Sequence, residues 1–446
     1  MARRISCAMA CAIVFAKSSS AALAPCGTPV DAIFANGFGV GPSISAYANE
    51  FVLPPPDATI KYLPDEHSSF LPPASSGDPY LFFEAANVAA GTGAIALAVT
   101  GIQNNTPLVT YAPGYAAPVL GSPLPFGQCA GAGDPAGTDD EFDENYAAPG
   151  SVLQDPTLPA GNLVMIYEGE NHCRFDPSTQ TYHNVQPYFA TAGFARSSDN
   201  GVTWPAPTVA PAPGAKRYPI IGGPDAKPDW NSDPTQITAV GNAIPSGYIE
   251  GSCLYVVYAA HPAPTDADRR IAIQIARAQL GAADPLVFQK YLRIAGVGAF
   301  SSDGLTGAGS DVIPFIAGGT LTATPACTGT QFQPGLSFNE TLQRYVMTMV
   351  CQVSGMTDQL GWFFSTATSL DAEDWTPPQL IANTQSTSST CGTGVSFDGW
   401  YPSFYSLGMD VGHTGASGVA FYLSGCNTSN ARAFQYRRFA VTPDPG

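Results

Sequence analysis

The chain has 446 residues, and its 46 Gly, 41 Pro, 19 Tyr and 24 Phe favour many short strands joined by turns over helices. Only 12% of residues are charged and the net charge is -17, so nucleic acid and anionic membrane surfaces are disfavoured as partners by repulsion, whereas a neutral ligand fits. A closed all-β architecture can use this length as one unit.

At the N-terminus, Ala2-Arg3-Arg4 is a short basic start, Ile5 to Ala16 is an apolar run too short to span a bilayer, and Ser18 to Ala24 offers small residues for cleavage. Residues 1–24 therefore read as an export signal, and the expected location is secreted or periplasmic. No later segment is apolar for long enough to insert as a membrane helix. Past residue 24 the cysteines are Cys26, Cys129, Cys173, Cys253, Cys327, Cys351, Cys391 and Cys426, an even set that suggests disulfides without fixing their pairing. None stands in CxxC spacing, and His67, His172, His183, His261 and His413 are scattered, so no zinc or other transition-metal site is expected. Residues 25–60, rich in Ala, Gly and Pro, read as an extended lead-in packed on a body spanning 61–446.

Along the body one unit recurs. Its apolar second strands are Tyr80–Glu84, Leu163–Glu168, Leu254–Tyr258, Tyr345–Met349 and Val419–Leu423. Third strands follow at Ala94–Thr100, Tyr188–Arg196, Arg270–Ala278, Trp362–Thr368 and Ala433–Ala440, with clear alternation in Ile271 to Arg277. Each second strand is preceded by an opener: Ser68–Leu71, Pro149–Val152, Pro234–Ile237, Pro334–Ser337 and Pro402–Tyr405. The repeat is irregular, roughly 70 to 100 residues, which implies loop insertions between strands. The expected fold is all-β, a five-bladed β-propeller, each blade a small sheet around a common axis.

Ser197-x-Asp199-x-Gly201-x-Thr203-Trp204 closes the third strand of the second unit. Asp-Asn-Gly supplies a tight turn, since Asn and Gly tolerate positive φ and Asp accepts from the amides that follow. This motif resembles the Asp-box, a hairpin of propeller blades, notably in sialidases, that lies away from the ligand mouth; Asp199 is read as a turn residue. A weaker counterpart runs from Thr368 to Trp375. Trp204 and Trp375 are expected to pack between blades.

Openers of the form Pro-Ser/Gly-hydrophobic, Tyr-rich second strands, an Ala-Arg-Ser strand and a closing Trp together resemble the five-bladed propellers of the arabinanase, levansucrase and invertase superfamily of glycoside hydrolases. Arg270–Ala272, Phe288–Tyr291, Gly309–Pro314, Gln343–Met347 and Tyr436–Phe439 add to the likeness, which spans residues 62–441 as a distributed pattern. In such a propeller the innermost strand of each blade begins at the ligand mouth, which is then built from residues just before each opener and just after each second strand. Those residues include Asp65, Glu66 and His67; Asp143, Glu144 and Glu168; Trp230 and Asp233; Gln331 and Gln333; and Asp398, Trp400 and Tyr401.

Carboxylates and rings converging on one axis suit glycoside hydrolysis: one acid with a raised pKa protonates the leaving oxygen, a second carboxylate attacks or activates water, and apolar rings stack on sugar faces. The family roles of base or nucleophile, tuner of the acid, and proton donor fall by position on Asp65, Asp143 and Asp233. Blade three has Asp where the family has Glu, and Asp65-Glu66-His67 stands where the family has Asp-Pro, so Asp65 or Glu66 could serve. Glu66, His67, Glu144, Glu168, Trp230, Gln333, Asp398, Trp400 and Tyr401 are the candidate substrate-binding residues.

Plainer readings stand beside these. Asp233-Pro234 and Asp398-Gly399 are ordinary turn formers, and Asp139 to Glu144 is a charge run of the kind that forms solvated loops. That run could hold a structural calcium ion, although it lacks the EF-hand glycine and spacing; no other cofactor is expected. The functional expectation is a secreted, monomeric glycoside hydrolase acting on a neutral, arabinofuranoside-type polysaccharide or oligosaccharide. A non-catalytic, lectin-like glycan-binding propeller is the alternative. A sialidase-like exo-glycosidase comes third, because that chemistry needs arginines on inner strands and the openers contain none.

Overall fold

The structure, a computed structural model, describes residues 26, 42–46, 51–53, 66–72, 80–88, 91–103, 106–116, 118–124, 128–129, 142–176, 178–179, 181–205, 217–223, 239–261, 270–281, 284–314, 326–353, 360–370, 374–384, 396–406, 408–426 and 432–443. Among these, all regular structure is β.

The strands β1 (Ser43–Ala46) and β2 (Phe51–Leu53) come first and join the last sheet. Group one contains β3 (Ser69–Leu71), β4 (Tyr80–Val88), β5 (Gly91–Gln103) and β6 (Thr106–Tyr111), with β7 (Leu120–Gly121) on β5. Group two contains β8 (Tyr146–Gln154), β9 (Leu163–Asp176), β10 (Thr181–Ser197) and β11 (Arg217–Ile221). Group three contains β12 (Ala239–Glu250), β13 (Cys253–His261), β14 (Ala272–Gln279), β15 (Gln289–Ile294) and β16 (Val297–Asp303). Groups two and three are antiparallel within themselves and, among the described residues, are joined into one sheet by a short parallel pairing of β10 with β12, from Tyr188↔Ala239 to Ala190↔Gly241.

Group four contains β17 (Cys327–Asn339), β18 (Arg344–Val353), β19 (Leu360–Ala367) and β20 (Gln379–Thr384). Group five contains β21 (Ser396–Tyr405), β23 (Ser417–Cys426) and β24 (Arg432–Thr442), while the short β22 (His413–Thr414) pairs in parallel with β17. β1 and β2 both pair antiparallel with β24, so part of the expected lead-in supplies edge strands to the final sheet.

The apolar second strands are continuous because both faces are buried. Phe83 packs towards group two and Phe82 towards group five. Met165 and Tyr167 face group one, whereas Ile166 faces group three. Leu254 and Val256 face group two, whereas Tyr255 and Val257 face group four. Met347 and Met349 turn back to group three, while Val346 and Val350 meet Ala420 and Tyr422 of group five. Each group thus packs on the next, and Phe421 with Phe434 brings the fifth onto the first. Alternating side chains that both enter a core contribute roughly 1.5–3 kcal/mol each.

The innermost strands β3, β8, β12, β17 and β21 line one narrow central channel, where Ser69, Ser151, Ser246, Ser337 and Ser403 stand. Ser69 Oγ accepts the Val152 amide at 2.7 Å, Ser151 Oγ accepts the Gly247 amide at 2.9 Å, and Ser403 Oγ accepts the Ser68 amide at 3.1 Å. Small residues are required beside these bonds: a Cβ on Gly150 would stand 1.7 Å from the Pro245 carbonyl oxygen. The opener of the third unit is therefore Pro245-Ser246-Gly247 within β12, a correction to the expected Pro234–Ile237, which lies outside the described residues.

Disulfides join Cys26 to Cys253, Cys129 to Cys173 and Cys327 to Cys351, as suits an oxidising compartment. No helix among the described residues is long and apolar enough to cross a membrane.

Candidate active site

The front of the molecule is the end where the innermost strands begin. Four of these strands carry a register break there: Pro149/Ser151, Ala243/Ser246, Phe332/Gly335 and Trp400/Ser403. In three of them the break holds a non-glycine residue at positive φ directly before proline: Ile244 at 53°, Gln333 at 54° and Tyr401 at 53°. For β-branched Ile244 this conformation is a true outlier, of the kind that persists only where surrounding contacts enforce it. The contacts are present. The Ile244 amide donates to Glu168 Oε2 at 2.5 Å, and the Tyr401 amide donates to Gln333 Oε1 at 2.8 Å.

Glu168 is the centre of a buried carboxylate group. It shares hydrogen bonds with Glu66 and Glu170, and all three side chains are nearly inaccessible. Burial first, and the Glu170 charge second, raise the Glu168 pKa well above the ordinary carboxylate range, while the bonds from Glu66 and the Ile244 amide oppose the rise. Glu170 Oε2 lies 2.7 Å from His172 Nε2, and the His172 ring meets that of Tyr188 at a 33° tilt, 4.9 Å between centroids. The Tyr188 hydroxyl is pushed well above its ordinary pKa by burial and then by the charges of Glu170 and Glu168, with Tyr401 and Glu66 also contributing.

A second patch adjoins it. His67 is buried, its Nδ1 is 3.3 Å from Ser403 Oγ, and its ring meets Tyr401 edge-on at 6.3 Å. Desolvation lowers its pKa to about 4 against the pull of the Pro334 and Pro402 backbone, so the imidazole is neutral at pH 7. Glu84 is raised to about 8 by burial, with only the Ser68 hydroxyl at 3.4 Å opposing, and so carries a proton at neutral pH.

Asp143 stands elsewhere. Alternation along β9 turns Tyr167 towards group one and Glu168 the opposite way, and Asp143 is on the Tyr167 side. Its Oδ2 accepts the Tyr167 hydroxyl at 2.8 Å and is clamped by Arg217 through Nε at 3.0 Å and Nη2 at 2.5 Å. Gly169 permits this approach, since a Cβ there would come within 2.8 Å of Asp143 Cβ.

Of the predicted residues, Glu66, His67, Glu168, Gln333 and Tyr401 are therefore brought together. Trp400 packs beside them, edge-on to Phe332 at 6.0 Å and to Tyr401 at 5.9 Å. Glu144 is buried in the turn before β8, where its carbonyl accepts the Leu124 amide at 2.9 Å. Asp398 lies in β21 opposite Ser424, just before the left-handed Gly399. Asp65, Trp230 and Asp233 lie outside the described residues.

Sequence reasoning missed Glu170, His172 and Tyr188. Their signal was the period-two polar run Glu168, Glu170, His172, Arg174, which continues β9 well beyond the expected end of the strand. Among the described residues no group of three or more His, Cys, Asp or Glu side chains has the geometry to hold a metal ion.

No protein-family model and no curated protein matches the chain. Solved structures similar to it include the catalytic domain of Coprinopsis cinerea GH62 alpha-L-arabinofuranosidase, at 10% identity and a TM-score of 0.45, covering 91% of this chain and 98% of that one. A mutant levansucrase from B. megaterium has 9% identity and a TM-score of 0.45, covering 86% and 85%. A mutant alpha-L-arabinanase from Cellvibrio cellulosa has 9% identity and a TM-score of 0.40, covering 84% and 91%.

Proposed function

We propose that the chain is an exported glycoside hydrolase, built as a five-bladed β-propeller and acting on a neutral, arabinofuranoside-type polysaccharide or oligosaccharide. The observation that carries the reading is the buried cluster of Glu66, Glu168 and Glu170, in which burial and the Glu170 charge raise Glu168. A carboxyl group that burial and a neighbouring charge keep protonated at neutral pH is what cleavage of a glycosidic bond asks of its acid, the base or nucleophile standing about 5 Å or more away.

In this reading Glu168 donates its proton to the leaving oxygen. Glu66, or Asp65 beside it in the chain, attacks the anomeric carbon or deprotonates the water that does. Glu170 keeps Glu168 protonated by repulsion, and His172 keeps Glu170 charged and oriented. Asp143, locked to Arg217, is a positioning residue, while Asp233 remains a candidate donor. The closed cycle of five packed strand groups supports the propeller, and the three disulfides support export.

The test is release of reducing sugar from arabinan and related neutral glycans by the purified protein and by Glu168→Gln, Glu66→Gln, Asp65→Asn and Asp233→Asn. Wild-type release falling by about 10²- to 10⁴-fold in Glu168→Gln is expected. Cleavage that survives Glu168→Gln removes the assigned acid, and sugar binding with no release by the wild type makes the chain a lectin.

A further inference from the structure

Gln331 and Gln333, both fully buried in the first half of β17, hold polar atoms that nothing among the described residues satisfies. Neither amide atom of Gln331 has a hydrogen-bond partner, and neither does Gln333 Nε2. Buried amides are almost always paired, and a cluster of exceptions signals a missing partner. Gln333 is held in place for such a partner. Its backbone is at positive φ inside the register break, and its Oε1 is engaged by the Tyr401 amide at 2.8 Å, which leaves the NH2 group as the free half.

The neighbourhood says what that partner is. Tyr401 ties Gln333 to the His67 ring and, through Tyr188, to the Glu66 and Glu168 carboxyls. The unsatisfied groups are two NH2 donors and one carbonyl acceptor, all uncharged. A hydroxyl both donates and accepts and so matches this set. A carboxylate or phosphate would want a cation, whereas Glu66, Glu168 and Glu170 stand here and the buried Arg174 on the same face of β9 gives its Nη1 to the Asn171 and Cys173 carbonyls.

We propose that Gln331 and Gln333 read the ring hydroxyls of one neutral sugar unit, making them specificity-determining residues of the front site. The inference rests on the reading of that site as a sugar site, and not on its being catalytic. Neither amide atom of Gln331 has a partner among the described residues, so Gln331→Leu relieves an unmet desolvation cost and should leave folding intact while sugar affinity is lost, whereas Gln333→Leu also strands the Tyr401 amide and should lower Tm. A structural glutamine would lose both together.

The experiment measures binding of L-arabinose, D-xylose and D-galactose by ligand-observed NMR in the wild type, Gln331→Leu, Gln333→Leu and Glu168→Gln. Tm is measured for each, together with hydrolysis of p-nitrophenyl α-L-arabinofuranoside. The expected result is about tenfold weaker sugar binding in each leucine variant, with Tm unchanged or higher in Gln331→Leu. Unchanged binding in either variant, or a Tm that falls together with binding in Gln331→Leu, overturns the inference. Binding that depends on Gln331 and Gln333 without hydrolysis supports the pair and removes only the catalytic reading. Hydrolysis that ignores both leucine variants keeps the enzyme and removes the pair, and no sugar bound by any form overturns both.

Discussion

Arg217 grips Asp143 with two nitrogens on a single oxygen, Nε at 3.0 Å and Nη2 at 2.5 Å, and its guanidinium also lies over the Tyr167 ring, 5.3 Å from the centroid. Arg217 Nη2 reaches on to the Gly121 carbonyl at 2.9 Å, so this one side chain joins the end of group one to the turn that precedes group two. Both charges are buried. Arg217→Met would leave the Asp143 carboxylate without its counter-charge and should destabilise the fold by about 3–5 kcal/mol. The double variant Arg217→Met/Asp143→Leu should recover part of that loss. Urea unfolding of the two variants checks it; equal losses would mean that the ion pair is not what holds the turn.

Thermal stability should have a plateau in pH. Glu84 carries its proton in the folded state up to about 8, whereas the unfolded chain releases it near 4.5, so this contribution is full below 4.5 and is lost as pH rises to about 8. His67 works the other way: the unfolded chain takes a proton near 6.5 that the folded chain refuses until about 4, so stability falls as pH drops from 6.5 to 4. From 4.5 to 6.5 the two slopes oppose each other, and above 6.5 only the carboxyl term remains, with Glu168 adding to it in the same direction. Each group contributes at most about 1.4 kcal/mol per pH unit. Glu84→Gln should flatten the alkaline fall of Tm, and a fall that persists unchanged would assign it to other groups.

The turn after β10 tests the separation of fold from function. Asp199 Oδ1 accepts the Ser197 hydroxyl at 2.7 Å and the Thr203 amide at 3.0 Å, and Asp199 Oδ2 accepts the Thr203 hydroxyl at 2.6 Å. Trp204 Nε1 then donates to the Gly201 carbonyl at 2.8 Å and lays its ring against Phe83 at 6.4 Å. Asp199→Ala should cost about 1–3 kcal/mol, the penalty of stranding these donors, and leave kcat/KM unchanged on any substrate the wild type cleaves. A selective loss of kcat/KM at full stability would bring this turn into the site.

What the sequence showed and what it hid have physical causes. Second strands such as Leu163 to Tyr167 were legible because both their faces are core, and the 197–204 turn was legible because its bonds are local. The third opener was misplaced because Pro234 and Pro245 each precede small or polar residues. Only packing chooses between them, through the contact of Gly150 with the Pro245 carbonyl. Ile244 at positive φ contradicts local propensity, and the Glu168 carboxyl that holds it there comes from another strand group. Gln331 and Gln333 could be named from their place before an opener, but that their amides lack partners is visible only in three dimensions.

Two of the disulfides follow the repeat. Cys327 begins β17 and bonds Cys351 near the end of β18, so the entry of the innermost strand is tied to the exit of the second strand at the front of group four. Cys129, upstream of β8, bonds Cys173 near the end of β9, the same arrangement in group two. In group five Cys426 ends β23 and is the register partner of Ser396, the first residue of β21, while Cys391 is five residues upstream in the sequence and lies outside the described residues. Equivalence of position predicts a Cys391–Cys426 bond. Closing a loop of this length stabilises by about 3–5 kcal/mol, so Cys426→Ser should lower Tm and expose one thiol. Peptide mapping under non-reducing conditions decides it: a fragment containing Cys391 linked to one containing Cys426 is expected. Two free thiols instead would show that the front of group five is held by β21 and β23 alone.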